Sequence, residues 1–289
     1  MITTEQIERW LREDIGHHDV TNQVPGETTG RLVAREAGVA AGIDAAASVF
    51  TYLDVSVTDR VDSGASIEPG ATLVTVEGPA RSVLRAERIA VNLAGHASGI
   101  ATRTCRAVDI SRNVTGAVDG SAAGDDRRST SSTPRIAATR KTTPGLRGIE
   151  KRAVVAGGGD THRLDLSHMV MVKDNHVAEL GLEGAIEHFA ERTSFATKIE
   201  VEVETVADAP RAAAAGADVV LLDNMDPDAV AAAVERLAED GNADVLTEAS
   251  GGITMETLAD YATTGVDVIS MGSLTHSAPS LDLSFRTGG

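Results

Sequence analysis

Short apolar runs that each end in a polar residue recur through the second half of the chain at intervals of 20 to 29 residues, and this rhythm restricts the fold more than any other feature. VMVK ends at Lys173, IEVE at Glu202, VVLLD at Asp223, VLTEAS at Ser250 and VIS at Ser270. The stretches between them, VAELGLEGAIEHFAERT, VADAPRAAAAG, PDAVAAAVERLAED and METLADYATTG, read as helices. Strands that alternate with helices require a parallel sheet, and this many in regular succession favour a barrel over an open sheet. In a βα barrel the working groups lie at the C-terminal ends of the strands, so Lys173, Asp223, Ser250 and Ser270 are expected to ring one mouth.

The first part of the chain has a different texture. A helix is expected over about 3 to 13, capped by Thr3 or Thr4, followed by the turn-rich GHHDVTNQVPGETTG. From Arg31 to Val76 the pattern is strand-like, with RLVAREAGVAAGI, VSVT and ATLVTVEG separated by glycine and Glu-Pro-Gly punctuation. Residues 81–110 contain no proline and read as one long helix or two abutting ones, which completes a small α+β domain.

Composition narrows the function. A chain of 289 residues with 42% apolar content can build a proper core in one large or two modest domains. No apolar stretch reaches the about 18 residues of a membrane span, and MITTEQIERWLRED is a charged amphipathic helix rather than a signal peptide, so a cytoplasmic protein is expected. The single Cys105 cannot form an intrachain disulfide and reads as a buried small hydrophobe. A formal charge of −17 disfavours sequence-independent nucleic-acid binding, leaving small molecules and further copies of the chain as partners. The acidic, lysine-poor, aromatic-poor composition also suggests work in a halophilic cytoplasm, since at 1 M ionic strength the screening length is about 3 Å and self-repulsion largely vanishes.

Against that acidity, residues 138–176 hold seven Lys or Arg and four Asp or Glu, and three of the four lysines, Lys141, Lys151 and Lys173. A basic island in such a chain points to a site that grips anions. Within it, His162 and Arg163 after GGGDT can hold a carboxylate by charge-assisted hydrogen bonds, and Arg140 beside Lys141 extends the same positive pocket. GGG at 157–159 either cradles an anion or ends the helix GIEKRAVVA. In KIEVEVET the period of two sends Glu200, Glu202 and Glu204 to one face, toward the barrel interior, where Lys173, Lys141 and Arg163 are candidate counter-ions. A divalent metal on Glu202 and Asp223 is a further expectation. SGG at 250–252 and SMG at 270–272 place flexible backbone in the last two βα units, ahead of a helix, where such barrels bind phosphate. No role is assigned to His17, His18, His96, His168 or His276, and His176 reads as structural.

These segments together, RAERIAVNLAGHASGIAT, TRKTTPGLR, KRAVVAGGGDTHRLDLSHMVMVKDNH, IEVEVE, LLDNM, EASGGIT and DVISMGSLTHS, resemble the quinolinate phosphoribosyltransferase family over nearly the whole chain and in the same order. The resemblance implies an N-terminal α/β sandwich (1–112, rejoined by the tail 278–289) and an incomplete TIM-like α/β barrel (113–277). It implies transfer from phosphoribosyl pyrophosphate to quinolinate with loss of carbon dioxide, giving nicotinate mononucleotide and pyrophosphate in NAD biosynthesis, with Mg2+ assisting. By similarity, Arg140, His162 and Arg163 clamp the quinolinate carboxylates, joined by Arg88 from the other subunit of a homodimer or higher homo-oligomer. Lys141 and Lys173 face the pyrophosphate and reacting centre, Glu202 and Asp223 hold ribose hydroxyls or the metal, and Ser250, Gly251, Gly252, Ser270 and Gly272 cradle the 5-phosphate. Two departures stand out: a polar insert between about Asp119 and Arg135, and Ala138 where relatives carry an acid. The competing expectations are a related transferase for another base such as nicotinate and a non-catalytic anion-binding barrel. Four cations around the base, Arg88, Arg140, His162 and Arg163, favour a dicarboxylate over a monocarboxylate, and retention of Lys141, Glu202 and Asp223 argues for catalysis.

Overall fold

The computed structural model describes residues 2–116 and 133–288, so the polar insert expected from Asp119 lies outside the described residues as far as position 132. The chain opens with helix α1 (Thr4–Ile15), whose Thr3 accepts from the Gln6 amide while the Gln6 side chain bonds back to Thr3, a full capping box. Strands β1 (Glu27–Ala34) and β2 (Gly38–Val39), helix α2 (Ile43–Tyr52), and strands β3 (Ser56–Arg60), β4 (Ser66–Ile67) and β5 (Thr72–Pro79) follow. Helix α3 (Ala80–Thr115) is a single helix of 36 residues. Then come β6 (Arg135–Ala137), α4 (Arg147–Ala156), β7 (Val170–Val172), α5 (Asp174–Leu180), α6 (Leu182–Ala190) and β8 (Ile199–Val203). The chain ends with α7 (Asp208–Ala214), β9 (Val219–Asp223), α8 (Pro227–Glu239), β10 (Leu246–Ser250), α9 (Leu258–Ala262), β11 (Val268–Ser270), α10 (Ser273–His276) and β12 (Leu283–Thr287).

Two compact units result: residues 1–105, 142–158 and 274–289, and residues 106–141 and 159–273. The expected division at 112 and 278 differs mainly in placing 142–158 with the barrel. Helix α4 instead packs within the first unit, where Gly157 lies so near α3 that a Cβ there would meet the Ala101 carbonyl at 2.3 Å. The GGG run accordingly ends α4, and Gly157 serves this close approach.

The first unit is built on an antiparallel sheet in the order β12-β1-β5-β3. Leu32, Leu73, Val74 and Val76 are fully buried, and Phe50 of α2 stacks on Phe285 of β12 with ring centroids 5.6 Å apart. The tail crosses α3 where the helix carries glycine: the Leu281 amide donates to the Gly95 carbonyl at 2.9 Å, and a Cβ on Gly99 would lie 1.9 Å from the Pro279 carbonyl oxygen. Helix α2 replaces part of what reads as strand, and Cys105 is half-buried rather than a core residue.

The second unit is a six-stranded parallel sheet in the order β6-β11-β10-β9-β8-β7. Strands β7 to β11 follow one another in sequence through helical crossovers, and β11 then pairs with β6, the first of the set. Six strands, with no β6 to β7 ladder among the described residues, make the incomplete version of an eight-stranded barrel. Register fixes what meets at the C-terminal rim. Val172 lies opposite Val201, so Lys173 follows opposite Glu202; Ser250 lies opposite Asp223 and Ser270 opposite Ala137.

Candidate functional site

Two charged clusters occupy the second unit at different depths. The outer one forms at the strand ends. Lys173 caps α5 in an extended conformation, its amide donating to His176 Nδ1 at 3.0 Å, and its ammonium donates to Glu202 Oε2. His176 therefore has the structural role expected of it. Asp223 ends β9 and accepts from Asn224 Nδ2 at 2.6 Å. Burial, then the neighbouring Glu202 and Glu204 carboxylates, push the Asp223 carboxyl above its ordinary value, with Asn224 and Lys173 opposing. Carboxylates crowded so that one resists ionisation suit a cation, and Glu202 Oε1 and Asp223 Oδ1 take no hydrogen bond among the described residues. Hard oxygen donors of this kind fit Mg2+ held partly through substrate or water.

The deeper cluster contains His162, Glu200 and Glu248. The segment before it adds to the barrel edge, with the Asp160 amide donating to the Ile136 carbonyl at 2.8 Å and the Ala138 amide to the Asp160 carbonyl at 3.1 Å. His162 then takes a left-handed φ of 50°, its amide held at 2.7 Å by Asp160 Oδ1. That turn aims Nε2 inward, 3.0 Å from Glu248 Oε2 and 3.4 Å from Glu200 Oε1. Burial lowers the imidazole pKa, but Glu200 and Glu248 outweigh it and raise the value to about 10. The Arg163 amide, 2.7 Å from Nδ1, pulls the other way because it needs the lone pair there; two carboxylates outweigh one neutral hydrogen bond. Nε2 carries hydrogen in either protonation state. The three side chains lie close enough for a metal, yet that nitrogen is occupied as a donor, so the cluster is an ion network rather than a metal centre.

Arg163 is buried at 7% exposure, with Nη2 3.0 Å from Met171 Sδ and, among the described residues, no hydrogen-bond partner for Nε. Burial lowers its pKa, Glu200 opposes this, and the like charge of Arg140 adds to the lowering. A guanidinium whose pKa the like charge of Arg140 helps to lower, beside an imidazolium, suits an anion of more than one charge. Lys141, whose amide donates to Thr139 Oγ1 at 3.1 Å, follows Arg140 directly on the exposed side of the same loop.

The residues expected to cradle phosphate lie on neighbouring strand ends. Ser270 Oγ donates to Ser250 Oγ at 3.0 Å, and the Asn224 amide donates to the Ser250 carbonyl at 2.9 Å. Gly251 has φ 93°, and a Cβ there would meet Asn224 Oδ1 at 2.4 Å, whereas Gly252 faces open space. The helix after Gly252 begins only at Leu258, and α10 after Gly272 has four residues. A helix terminus therefore does not make this cradle, and loop amides are what it offers an anion. Arg88 belongs to the first unit, with a side chain 61% exposed and Glu87 3.8 Å away. Sequence reasoning missed Glu248 as the main partner of His162; the period of two places it on the same strand face as Ser250, and that signal was present.

Comparisons with known proteins agree over both units. Residues 18–98 match the quinolinate phosphoribosyl transferase N-terminal domain and residues 121–286 its C-terminal domain. The chain is 42% identical to a probable carboxylating nicotinate-nucleotide pyrophosphorylase of Methanothermobacter thermautotrophicus, covering 98% of each chain. It is 38% identical to the carboxylating nicotinate-nucleotide pyrophosphorylase of Homo sapiens, covering 97% of this chain and 90% of that one. The crystal structure of NadC from Streptococcus pyogenes is similar with a TM-score of 0.85 at 36% identity, covering 100% of this chain and 98% of that one.

Proposed function

The chain belongs to the quinolinate phosphoribosyl transferase family, and from that premise we propose that it converts quinolinate and phosphoribosyl pyrophosphate to nicotinate mononucleotide, pyrophosphate and carbon dioxide. The observation that carries this reading is the convergence of Arg140, His162 and Arg163. A buried guanidinium whose Nε has no partner among the described residues, next to a second cation and a doubly supported imidazole, is ready to donate to carboxylate oxygens, and quinolinate is a dianion.

In the reaction the pyridine nitrogen forms a bond to the ribose anomeric carbon while the bond to pyrophosphate breaks, its electron pair leaving with the oxygen. Lys141 and Lys173 neutralise charge developing on that oxygen, which is where preorganised cations contribute most. The carboxylate on the carbon next to the quaternary nitrogen then departs as carbon dioxide, leaving its bonding pair on that ring carbon, where the adjacent positive nitrogen stabilises it until the carbon takes a proton from water. Glu202 and Asp223 orient the ribose hydroxyls. The same two carboxylates would hold Mg2+, which when bound supplies neutralisation of the pyrophosphate. The Ser250, Gly251, Gly252, Ser270 and Gly272 loops hold the 5-phosphate, and Arg88 reaches the quinolinate site of the other subunit in a homodimer.

No helix among the described residues is long and apolar enough to cross a membrane, in keeping with a cytoplasmic enzyme. The formal charge of −17 with only four lysines supports adaptation to high salt. Mass spectrometry of reactions with phosphoribosyl pyrophosphate, Mg2+ and either quinolinate or nicotinate, in dilute and molar KCl, tests the proposal. Nicotinate mononucleotide from quinolinate alone, with carbon dioxide, is expected; product from nicotinate alone, or none at any salt, overturns it. Higher activity in molar KCl is expected of the halophilic reading, and equal activity and stability in dilute buffer would sink that part.

A further inference from the structure

A buried glutamate in the first unit has no place in the reaction as described. Glu150 lies in the first turn of α4 with no exposure to solvent. Its Oε1 is 2.8 Å from His96 Nε2 of α3, and the Thr143 amide donates to Oε2 at 3.1 Å and to Oε1 at 3.3 Å. Burial alone would favour the neutral acid; the His96 and Thr143 hydrogen bonds reverse this and hold the carboxyl below its ordinary value. A buried charge is costly to keep, so what it grips matters.

It grips the first residue of a tight turn. The Leu146 amide donates to the Thr143 carbonyl at 3.0 Å, and Gly145 at φ 83° takes the left-handed third position that a type II turn requires after Pro144. Arg147 Nε donates to Thr142 Oγ1 at 3.0 Å, fixing the preceding residue as well. Thr143 is thus held at its amide by Glu150 and at its carbonyl by the turn, and the next residues toward the N-terminus are Thr142, Lys141 and Arg140. We infer that Glu150, braced by His96, is a positioning residue that sets the direction in which Arg140 and Lys141 leave the Thr-Pro-Gly turn. A loop anchored at one backbone amide holds two long cations in one course, which is how preorganisation of a transfer site is obtained from outside it.

The inference rests on the proposed activity for its catalytic consequence and on geometry alone for the anchoring. Its test therefore pairs two readouts on the full chain. Amide hydrogen exchange in Glu150→Ala is expected to rise at 141–146 while the parallel sheet keeps its protection. In kinetics, Glu150→Ala is expected to lower kcat/KM by about tenfold to a hundredfold, with Glu150→Gln, which keeps one acceptor oxygen, restoring part of the loss. In a chain already carrying Lys141→Ala the further loss should shrink to about threefold or less, as for residues acting through one another. An equal fold-loss in both backgrounds, or unchanged exchange at 141–146, overturns the inference. Should Glu150→Ala fail to fold, Thr143→Pro deletes the same hydrogen bond from the loop side and is read by the same two measurements. A wild-type chain that forms no nucleotide sinks the activity, and the exchange result still decides the anchoring.

Discussion

Glu150 and Glu200 are both glutamates with no solvent exposure, each beside a histidine, yet their carboxyl groups shift in opposite directions. Glu150 has a histidine at 2.8 Å and a backbone amide reaching both oxygens, and stays ionised. Glu200 has His162 at 3.4 Å, no shorter donor on either oxygen among the described residues and the Glu248 carboxylate nearby; burial pushes its pKa up, Glu248 adds to this, and His162 and Arg163 oppose it. Lack of solvent exposure therefore does not by itself set protonation: how deep the group lies and how many donors reach it do. The difference matches what each group serves. Glu150 serves backbone and needs only the fold, whereas Glu200 lies beside His162 and Arg163, the residues proposed to receive the anion.

The largest effect expected from breaking this contrast is at Glu248, which makes the shorter of the two carboxylate contacts to His162. Glu248→Ala leaves a buried imidazole facing only Glu200 at 3.4 Å, and loss of one member of a buried pair costs about 3 to 5 kcal/mol. Urea unfolding should show a drop of that size with an unchanged m-value, and a change below about 1 kcal/mol would mean that Glu200 alone supports the ring.

The pH dependence of His162 sharpens the same point. Its folded pKa of about 10 lies above the unfolded value of roughly 6.5, so the folded state holds the proton more tightly. The stability this group contributes is complete below about pH 6.5 and is lost as pH rises through about 10. Unfolding free energies of wild type and His162→Gln should differ most near pH 6 and converge toward pH 10; a constant difference would show that the ring stays neutral, as the Arg163 amide at Nδ1 prefers.

These residues also mark how far the sequence could be read. The ends of apolar runs placed Lys173, Asp223, Ser250 and Ser270 on one rim and alternation turned Glu202 inward, because strand ends and side-chain alternation are local properties that register then converts into neighbours. Glu248 follows from the same alternation counted two residues back from Ser250, but a polar residue inside a run reads as an interruption unless its partner is known. Helix α2 was hidden because IDAAASVFTY lies between strand-like segments and begins after a left-handed Gly42 with no side-chain cap. The His96 and Glu150 pair was beyond reach for a different reason: each lies in an ordinary helical pattern, and 54 residues separate them. Only packing of α4 with α3 in the first unit shows that a charged residue in a first turn is buried rather than solvated.

The two smallest effects test the contrast directly, since glutamine mimics a protonated carboxyl. Glu150→Gln removes a charge that two donors stabilise and turns one oxygen into a donor facing either His96 or the Thr143 amide, so a loss of about 1 to 3 kcal/mol is expected. Glu200→Gln replaces a group already inclined toward neutrality, whose contact with His162 is long at 3.4 Å, and relieves its repulsion with Glu248; a change within about 1 kcal/mol is expected, of either sign. Paired urea titrations at neutral pH decide it. If Glu200→Gln costs as much as Glu150→Gln, then Glu200 is ionised in the folded chain, His162 is bracketed by two full charges, and the receptor formed with Arg140 and Arg163 is closer to balanced before substrate binds. If the loss is small, the pocket keeps its excess positive charge, which is the condition a dianionic substrate would relieve.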